Sequence, residues 1–250
     1  MKNILLFITY DGSNYLGWQK TKEGPSIEEK LQTILQKLLQ HNIKLQAASR
    51  TDAKVHAINQ AINFFTDQEL FLDDINDLLP DDIKVIKMLQ VKNDFHPTLN
   101  CTGKEYKYQI CNSYYQIPQK INSSWHRHKV LDIESMKKAA SILIGTHDFG
   151  AFTNIKTDNA IRTIYDITIV KENDSVTIYI TGNKFLYKMA RIIVGTLVYV
   201  GEGKIPPLFL KDILEKKDRK LAGITAPAKG LFLNEIFYPD FYNINIKQIG

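Results

Sequence analysis

Cysteine is scarce in this sequence of 250 residues, which contains only Cys101 and Cys111. Two cysteines are too few for a disulfide framework, and their spacing is not that of a zinc site. We therefore expect reduced thiols in a reducing compartment. The sequence also has no glycine-rich loop of the kind that cradles phosphates. Neither a metal ion nor a nucleotide cofactor is expected.

Long hydrophobic runs are absent as well. The apolar run Ile4–Ile8 is too short for the core of a signal peptide, and no stretch approaches membrane-spanning length. The expectation is a cytoplasmic protein with no membrane partner.

Positive charge is only slightly in excess, because the 32 Lys and Arg residues and the 27 Asp and Glu residues give a net charge of +5. The sequence pI of about 8.9 allows a polyanionic partner such as a nucleic acid but does not require one. The hydrophobic share of 44% and the charged share of 24% are ordinary for a folded soluble protein. The length allows one large domain or two smaller ones.

The hydrophobic pattern predicts the element order βαββαβ twice. In the first half the predicted elements are Asn3–Tyr10, a capped helix Ser26–Gln40, Ile43–Ala47, Val55–Phe65, a helix Gln68–Leu79 and Ile83–Val91. In the second half they are Lys104–Cys111, a helix capped by Asp132 that ends at Gly145, the hairpin Ile164–Val170 and Ser175–Thr181, a helix Phe185–Val200 and Leu231–Tyr238. A short helix at about Leu208–Lys217 is inserted before the last strand.

This order predicts an α+β fold of two ferredoxin-like (RRM-like) units with mainly antiparallel sheets. The boundary is expected near Asn100, which gives subdomains 1–100 and 101–250. The first carries the polar loop described next, and the second completes a central cleft between the two sheets.

The run Ala48–Ala57 is the most informative stretch of the chain, because it places Arg50 two residues before Asp52 between two predicted strands. A carboxylate on a tight turn is positioned by the sheet yet open to a cleft, which suits a catalytic group. Arg50 would favour the ionised form of that carboxylate. A structural Arg–Asp pair that braces the turn is an equally good interpretation of these residues alone.

Six blocks in sequence order, from residue 3 to about 238, resemble the TruA family of tRNA pseudouridine synthases. The blocks are Tyr10-Asp11-Gly12 with Gly17-Trp18-Gln19; Arg50-Thr51-Asp52 with Val55-His56-Ala57; Phe95-His96-Pro97 with Lys104–Tyr108; Gly145–Phe149; Phe185–Arg191 with Gly195; and Lys229–Leu233. This sequence departs from the family pattern at Ser49 and Lys54, where glycine is usual, and at Ala190. A glycine lost from a position of positive φ would strain the loop.

The resemblance implies an isomerase that converts uridine to pseudouridine in tRNA, with no cofactor and no metal. It implies that Asp52 is the nucleophile, acting at C6 of the uracil or at C1′ of the ribose, and that Arg50 pairs with Asp52. Tyr106 would stack on the flipped-out uracil and take a proton, Leu231 would pack against its other side, and Arg191 would place a further cation by the aspartate. Base flipping costs a few kcal/mol, which such stacking partly offsets.

Other residues have both a structural and an RNA-binding interpretation. Lys184, Lys188 and Arg191 have helical spacing, so they form either a solvated edge or a phosphate-binding stripe. Arg127 lies in the basic run Trp125–Lys129, which is either RNA-contacting or a solvated loop. His56 lies within a motif block and is a candidate for substrate binding, although a structural histidine is the simpler interpretation.

By the same resemblance the target is uridines 38, 39 and 40 of the anticodon stem-loop, bound in the central RNA-binding cleft of a homodimer. Two alternatives remain. One is a non-catalytic RNA-binding protein, which would have no need for an aspartate on that turn. The other is a related synthase with a different RNA target, which Ser49 and Lys54 make credible.

Overall fold

The computed structural model describes residues 1–242 and 244. The fold is mixed α+β with mostly antiparallel strands, as predicted. The chain forms two compact units, one from Met1–Lys104 together with the segment from Leu233 onward, the other from Glu105–Phe232. The expected division into subdomains 1–100 and 101–250 stays a prediction.

Ten strands and five α-helices are present in the described residues. The strands are β1 (Lys2–Tyr10), β2 (Gln46–Ala47), β3 (His56–Thr66), β4 (Ile83–Val91), β5 (Gly103–Cys111), β6 (Trp125–His126), β7 (Gly145–Asp148), β8 (Ile161–Glu172), β9 (Ser175–Gly182) and β10 (Leu231–Phe237). The helices are α1 (Ile27–Leu39), α2 (Leu72–Leu78), α3 (Ile133–Leu143), α4 (Met189–Gly201) and α5 (Leu210–Lys216). None of the helices in the described residues is long and apolar enough to cross a membrane.

The first unit is built around β1, which lies between β3 and β4 and is antiparallel to both. The apolar run Ile4–Ile8 of β1 is almost completely buried, so both faces of this strand are covered. The strand β2 pairs with the far side of β3. The order of elements in this unit is the predicted βαββαβ.

The helix α1 confirms the prediction from its cap and its apolar face. The Ser26 hydroxyl accepts a hydrogen bond from the amide of Glu29, as expected for the N-cap of a capping box. One face of the helix is fully buried, formed by Ile27, Leu31, Leu35 and Leu39. The helix ends where Gln40 adopts the left-handed conformation.

The helix α2 is shorter than predicted. It begins at Leu72 rather than near Gln68, because the Thr66 hydroxyl accepts a hydrogen bond from the amide of Gln68 and holds a turn there. It ends before Pro80, as predicted, since proline disfavours the helical conformation of the residue before it.

In the second unit, β8 and β9 form a hairpin in which Glu172 faces Ser175 across a two-residue turn. Asn173 in this turn has a φ of 50°, which asparagine tolerates well. The strand β5 confirms the predicted alternation, because Tyr106, Tyr108 and Ile110 are buried while the residues between them are partly exposed. The strands β6 and β7 were not predicted.

The prediction of a helix from Phe185 was wrong for its first turn. Lys188 has a φ of 59°, a left-handed conformation that no α-helix can contain, so α4 begins only at Met189. Residues 184–188 form an irregular segment before the helix. Lys184 and Lys188 therefore do not form a helical stripe with Arg191.

Candidate active site

The polar loop that carries Asp52 lies between β2 and β3 of the first unit, and both of its ends are pinned. At its start, the amide of Ala48 donates to the carbonyl of Ala61 at 2.8 Å, and the Lys104 ammonium donates to the carbonyl of Ala48 at 2.6 Å. The fully buried Gln60 side chain then binds both backbone groups of Ser49, at 3.2 Å and 2.6 Å. These bonds fix the backbone on the N-terminal side of Arg50.

The N-terminal motif holds the other side of the same loop. The Tyr10 hydroxyl lies 2.7 Å from the Thr51 hydroxyl in a buried hydrogen bond, and the amide of Trp18 donates to the Thr51 carbonyl at 3.0 Å. The amide of Lys54 donates to the carbonyl of Tyr15 at 3.1 Å. The two motifs, about forty residues apart in the chain, are therefore one local structure, with Tyr10 and Trp18 as its supports.

Gly17 is required at this contact for two reasons. Its φ of 102° lies in the left-handed region, and a Cβ atom there would approach the Thr51 carbonyl oxygen to 2.5 Å. Any side chain at position 17 would therefore displace the backbone next to Asp52.

Asp52 is half-exposed, and its carbonyl accepts a hydrogen bond from the amide of Val55 at 3.2 Å. This bond closes a turn in which Lys54, with a φ of 63°, occupies the position that demands positive φ in a type II turn. The usual glycine at this position is thus explained, and its absence places strain beside Asp52. Ser49 has no positive φ, so the loss of glycine there causes no such strain. Arg50 is exposed, and its pairing with Asp52 stays a prediction.

His56 is buried at the start of β3 and faces the turn after β1. Its Nδ1 atom lies 3.1 Å from the Asp11 carboxylate and accepts a hydrogen bond from the amide of Gly12 at 3.2 Å. Asp11 also accepts from the amide of Ser13. Burial raises the pKa of Asp11, but the hydrogen bonds from Ser13 and the neighbouring His56 outweigh it, so the pKa lies below its usual value. This environment supports the structural interpretation of His56.

In the second unit, Tyr106 and Tyr108 have different environments on the same face of β5. Tyr108 is fully buried, and its hydroxyl donates to the carbonyl of Pro227 at 2.8 Å, as a core residue would. Tyr106 is 7% exposed, and its ring meets that of Phe185 edge to face at 4.9 Å between centroids. Leu231, at the start of β10, is 5% exposed. Burial of the Tyr106 ring edge by Phe185 fixes the orientation of the ring.

Arg191, in the first turn of α4, is fixed by backbone contacts with a neighbouring loop. Its Nε atom donates to the carbonyl of Ala226 at 2.7 Å, and the amide of Ala226 donates back to the Arg191 carbonyl at 3.1 Å. The loop approaches α4 so closely that a Cβ at Gly195 would overlap the carbonyl of Ile224. No sequence motif indicated a role for this loop.

Arg219 holds that loop in place. Its guanidinium donates to Asn154 Oδ1 at 2.9 Å, to the carbonyl of Gly223 at 2.8 Å and to the Thr225 hydroxyl at 3.2 Å. Five N–H donors in a rigid plane suit guanidinium for joining several acceptors. The position of Arg191 thus depends on a second arginine that no sequence motif indicated.

Arg127 is engaged within the second unit and is not a solvated loop residue. Its Nη2 atom contacts the carboxylate of Glu202, whose side chain is fully buried at the end of α4, and its guanidinium lies 5.0 Å from the centre of the Trp125 ring. Lys204 binds the same carboxylate at 2.6 Å. Burial raises the pKa of Glu202, but the hydrogen bonds from Lys204 and Arg127 outweigh this, so the pKa lies below its usual value. Arg127 therefore has a structural role, because it neutralises the carboxylate at the end of α4.

Lys184 is exposed, whereas Lys188 is half-buried with its ammonium 4.8 Å from the centre of the Tyr187 ring. Both lie in the irregular segment before α4. In the described part of the chain, no three His, Cys, Asp or Glu side chains are grouped so that they could hold a metal ion.

The sequence pattern of the tRNA pseudouridine synthase family matches residues 6–97 and 139–239 of this chain. The chain belongs to that family. It is therefore a pseudouridine synthase, an isomerase that acts on tRNA. The matched residues include the whole Asp52 loop with its N-terminal supports, as well as Arg191, Arg219 and Leu231. Tyr106 and Arg127 lie between the two matched stretches.

Individual relatives of this synthase are similar over nearly their whole length. The chain is 48% identical over 248 residues to tRNA pseudouridine synthase A 2 of Protochlamydia amoebophila, with 95% of each chain covered. It is 46% identical over 244 residues to tRNA pseudouridine synthase A of Thermoanaerobacter sp., with 95% of this chain and all of that one covered. A chain from the crystal structure of a Cbf5–Nop10–Gar1 complex aligns with 78% of this chain and 54% of its own length, at 12% identity and a TM-score of 0.35.

The strain at Lys54 predicts that Lys54→Gly stabilises the synthase. We expect the free energy of unfolding to rise by about 0.5–1 kcal/mol, because relief of the left-handed strain exceeds the entropic cost of glycine. Urea unfolding measures this change. Lys54→Ala is the matched control, since it removes the charge but keeps a Cβ at positive φ. An equal gain in Lys54→Ala would attribute the effect to charge instead.

The buried Glu202 carboxylate predicts a pH-dependent stability. Glu202→Gln leaves the Arg127 and Lys204 cations without their counter-charge, and we expect a loss of about 1–2 kcal/mol at pH 7 because both cations are partly exposed. The folded-state pKa of Glu202 lies below the unfolded one, so its contribution is present above the unfolded pKa and is lost as pH falls through the folded pKa.

The measurement is urea unfolding of wild type and Glu202→Gln from pH 7 downward, and the difference between them should shrink in acid. Glu134→Gln is the control, because Glu134 forms an exposed pair with Lys137 at 3.0 Å and should change stability by less than about 0.5 kcal/mol. A difference that stays constant down to acidic pH would contradict the assignment.

Proposed function

We propose that this enzyme isomerises uridines 38, 39 and 40 in the anticodon stem-loop of tRNA and that Asp52 is its nucleophile. The observation that carries the proposal is the Asp52 loop, whose backbone is held on both sides while the carboxylate remains half-exposed. A group fixed in this way loses little freedom when it meets a substrate, which is what a positioned nucleophile requires.

The reaction needs no co-reactant. The bond between C1′ and N1 breaks, the uracil rotates, and a bond forms between C1′ and C5. C5 then loses its proton, while N1 gains one. Asp52 serves this sequence either by adding to C6 of the ring or by acting at C1′, and both routes use one carboxylate. Arg50 supports the ionised carboxylate in this proposal.

The remaining predicted residues complete the proposal. Tyr106 stacks on the uracil and accepts the C5 proton, Leu231 packs against the base, and Arg191 supplies a cation to the aspartate. The edge contact with Phe185 and the two bonds to Ala226 support these roles for Tyr106 and Arg191, because they limit how each side chain can move. His56 holds the turn after β1 through its contacts with Asp11 and Gly12.

The partner is tRNA, recognised mainly by shape and backbone, and we propose that the enzyme acts in the cytoplasm as a homodimer. We also propose that its architecture consists of two ferredoxin-like units. Lys184 and Lys188 bind phosphate groups. Their place in the irregular segment before α4, with Lys184 exposed, is compatible with this role without a helical stripe.

Asp52→Asn tests the nucleophile. We expect its turnover to fall by at least about 10²–10⁴-fold with tRNA binding retained, because asparagine keeps the shape of the side chain but cannot act as nucleophile or base. The measurement is tritium release from unmodified tRNA that carries 5-³H-uridine.

Asp11→Asn is the control for the tritium assay, since asparagine can still cap the turn after β1 and the loop should keep its shape. Full turnover in Asp52→Asn would refute the assignment. Absence of release from the wild type, with tRNA still bound, would favour a different RNA target or a non-catalytic RNA-binding protein.

A Lys184→Gln, Lys188→Gln double variant tests the phosphate contacts. Each lost contact should reduce the slope of log K against log salt concentration by about 0.7–1, because fewer counterions are released on binding. The measurement is tRNA affinity over a series of salt concentrations. Lys137→Gln, which alters an exposed lysine paired with Glu134 on α3, provides the comparison. An unchanged slope in the double variant would contradict the phosphate contacts and would indicate that the two lysines are only solvated.

A further inference from the structure

Two adjacent tyrosines after β5 are exposed, although tyrosine rings of this size are usually largely buried. Tyr114 is 75% exposed and Tyr115 is 77% exposed. Their rings meet edge to face, with 4.6 Å between the centroids. The two rings thus expose adjacent aromatic surface to solvent.

The backbone under these rings is tightly held. The Ser113 hydroxyl donates to the carbonyl of Tyr115 at 2.6 Å, and Asn112 donates to the carbonyls of Arg127 and Lys129 at 2.8 Å and 2.6 Å. The His126 Nε2 atom lies 2.9 Å from the Ser113 carbonyl. The tyrosine turn and the basic run Trp125–Lys129 are therefore one surface, which we call the tyrosine patch and define as residues 112–131.

All the charged residues of the tyrosine patch are positive. Its twenty residues contain three Lys and Arg, two His and no Asp or Glu. Arg127 is engaged by Glu202, but Lys129 and His128 are exposed. Exposed aromatic rings next to exposed cations such as Lys129 are the combination by which proteins bind unpaired nucleotides, with bases on the rings and phosphates on the lysines.

The tyrosine patch is separate from the residue proposed to stack on the reacting uridine. Tyr106 and Cys111 lie five residues apart on β5, which corresponds to about 17 Å along an extended strand. The patch begins only after that strand ends. One flipped nucleotide at Tyr106 cannot also lie on Tyr114 and Tyr115.

We propose that the tyrosine patch is a second RNA-binding surface, which stacks unpaired bases of the tRNA on Tyr114 and Tyr115 and binds the adjacent phosphates through Lys129. This inference rests on the proposed function only for the identity of the RNA. A second copy of the chain is a weaker candidate for the partner. A two-fold symmetric contact would set the cationic patch against itself.

The test uses the full-length enzyme and unmodified tRNA. In a Tyr114→Ala, Tyr115→Ala double variant, we expect Kd for tRNA to rise about five- to hundred-fold, as for the loss of one stacked base. A Tyr114→Phe, Tyr115→Phe variant keeps both ring faces and should bind as the wild type does.

A second variant keeps the proposal falsifiable if the alanine variant does not fold. Lys129→Gln should reduce the salt slope of tRNA binding by about 0.7–1. Unchanged Kd in the alanine variant, with an unchanged slope in Lys129→Gln, would overturn the proposal. A shift from dimer to monomer in sedimentation with tRNA affinity retained would also overturn it, in favour of a contact between copies.

Failure of this proposal and failure of the proposed function give different results. Tritium release by the wild type reports the proposed function and does not depend on the tyrosine patch. Release by the wild type with unchanged tRNA binding in the alanine variant refutes the patch alone. No release, with weaker binding in the alanine variant, refutes the proposed target and supports the patch.

Discussion

The hydrogen bonds that hold the Asp52 loop are the constraint on which the first unit of this synthase depends. A loop between two strands has few partners of its own, so its backbone groups must be satisfied by other segments. Gln60 from β3 serves Ser49, while Tyr10 and Trp18 serve Thr51. Each of these supports lies in a regular strand or follows one closely. The sheet therefore determines where the carboxylate lies, even though the carboxylate itself is on a loop.

In the second unit, charged side chains hold the loops in place. Arginine is costly to bury unless its donors find acceptors, and here Arg127, Arg191 and Arg219 each donate to an acceptor within the unit. Arg219 fixes the loop that fixes Arg191, and Arg127 neutralises a carboxylate at the end of α4. Cations that sequence alone would assign to RNA binding thus divide into two groups. Those with buried partners maintain the structure, and those in solvent remain available to a polyanion.

Residues other than glycine that have positive φ show where tertiary contacts override the local conformational preference of the chain. Lys54 and Lys188 both have positive φ, one beside Asp52 and the other at the first turn of α4. The long apolar run from Phe185 predicted a helix through Lys188, because a periodic pattern contains no information about one reversed dihedral angle. Such strain tends to be found at functional sites, where surrounding contacts maintain it. Lys188 lies within the block Phe185–Arg191, and Lys54 lies between Arg50-Thr51-Asp52 and Val55-His56-Ala57.

The sequence by itself determined the class of fold, the caps of α1 and α3, the hairpin β8–β9 and the family, because caps, alternation and motif order are local properties of the chain. It also singled out Asp52. Only the tertiary structure decided which residues support it. Tyr10 and Gln60 act through contacts with residues 41 and 11 positions away, and no local pattern encodes such a contact. In the second unit, Arg219 likewise reaches Asn154, 65 positions away. The same holds for Arg127. Its ion pair with Glu202, seventy-five positions away, could not be inferred from the basic run in which Arg127 lies.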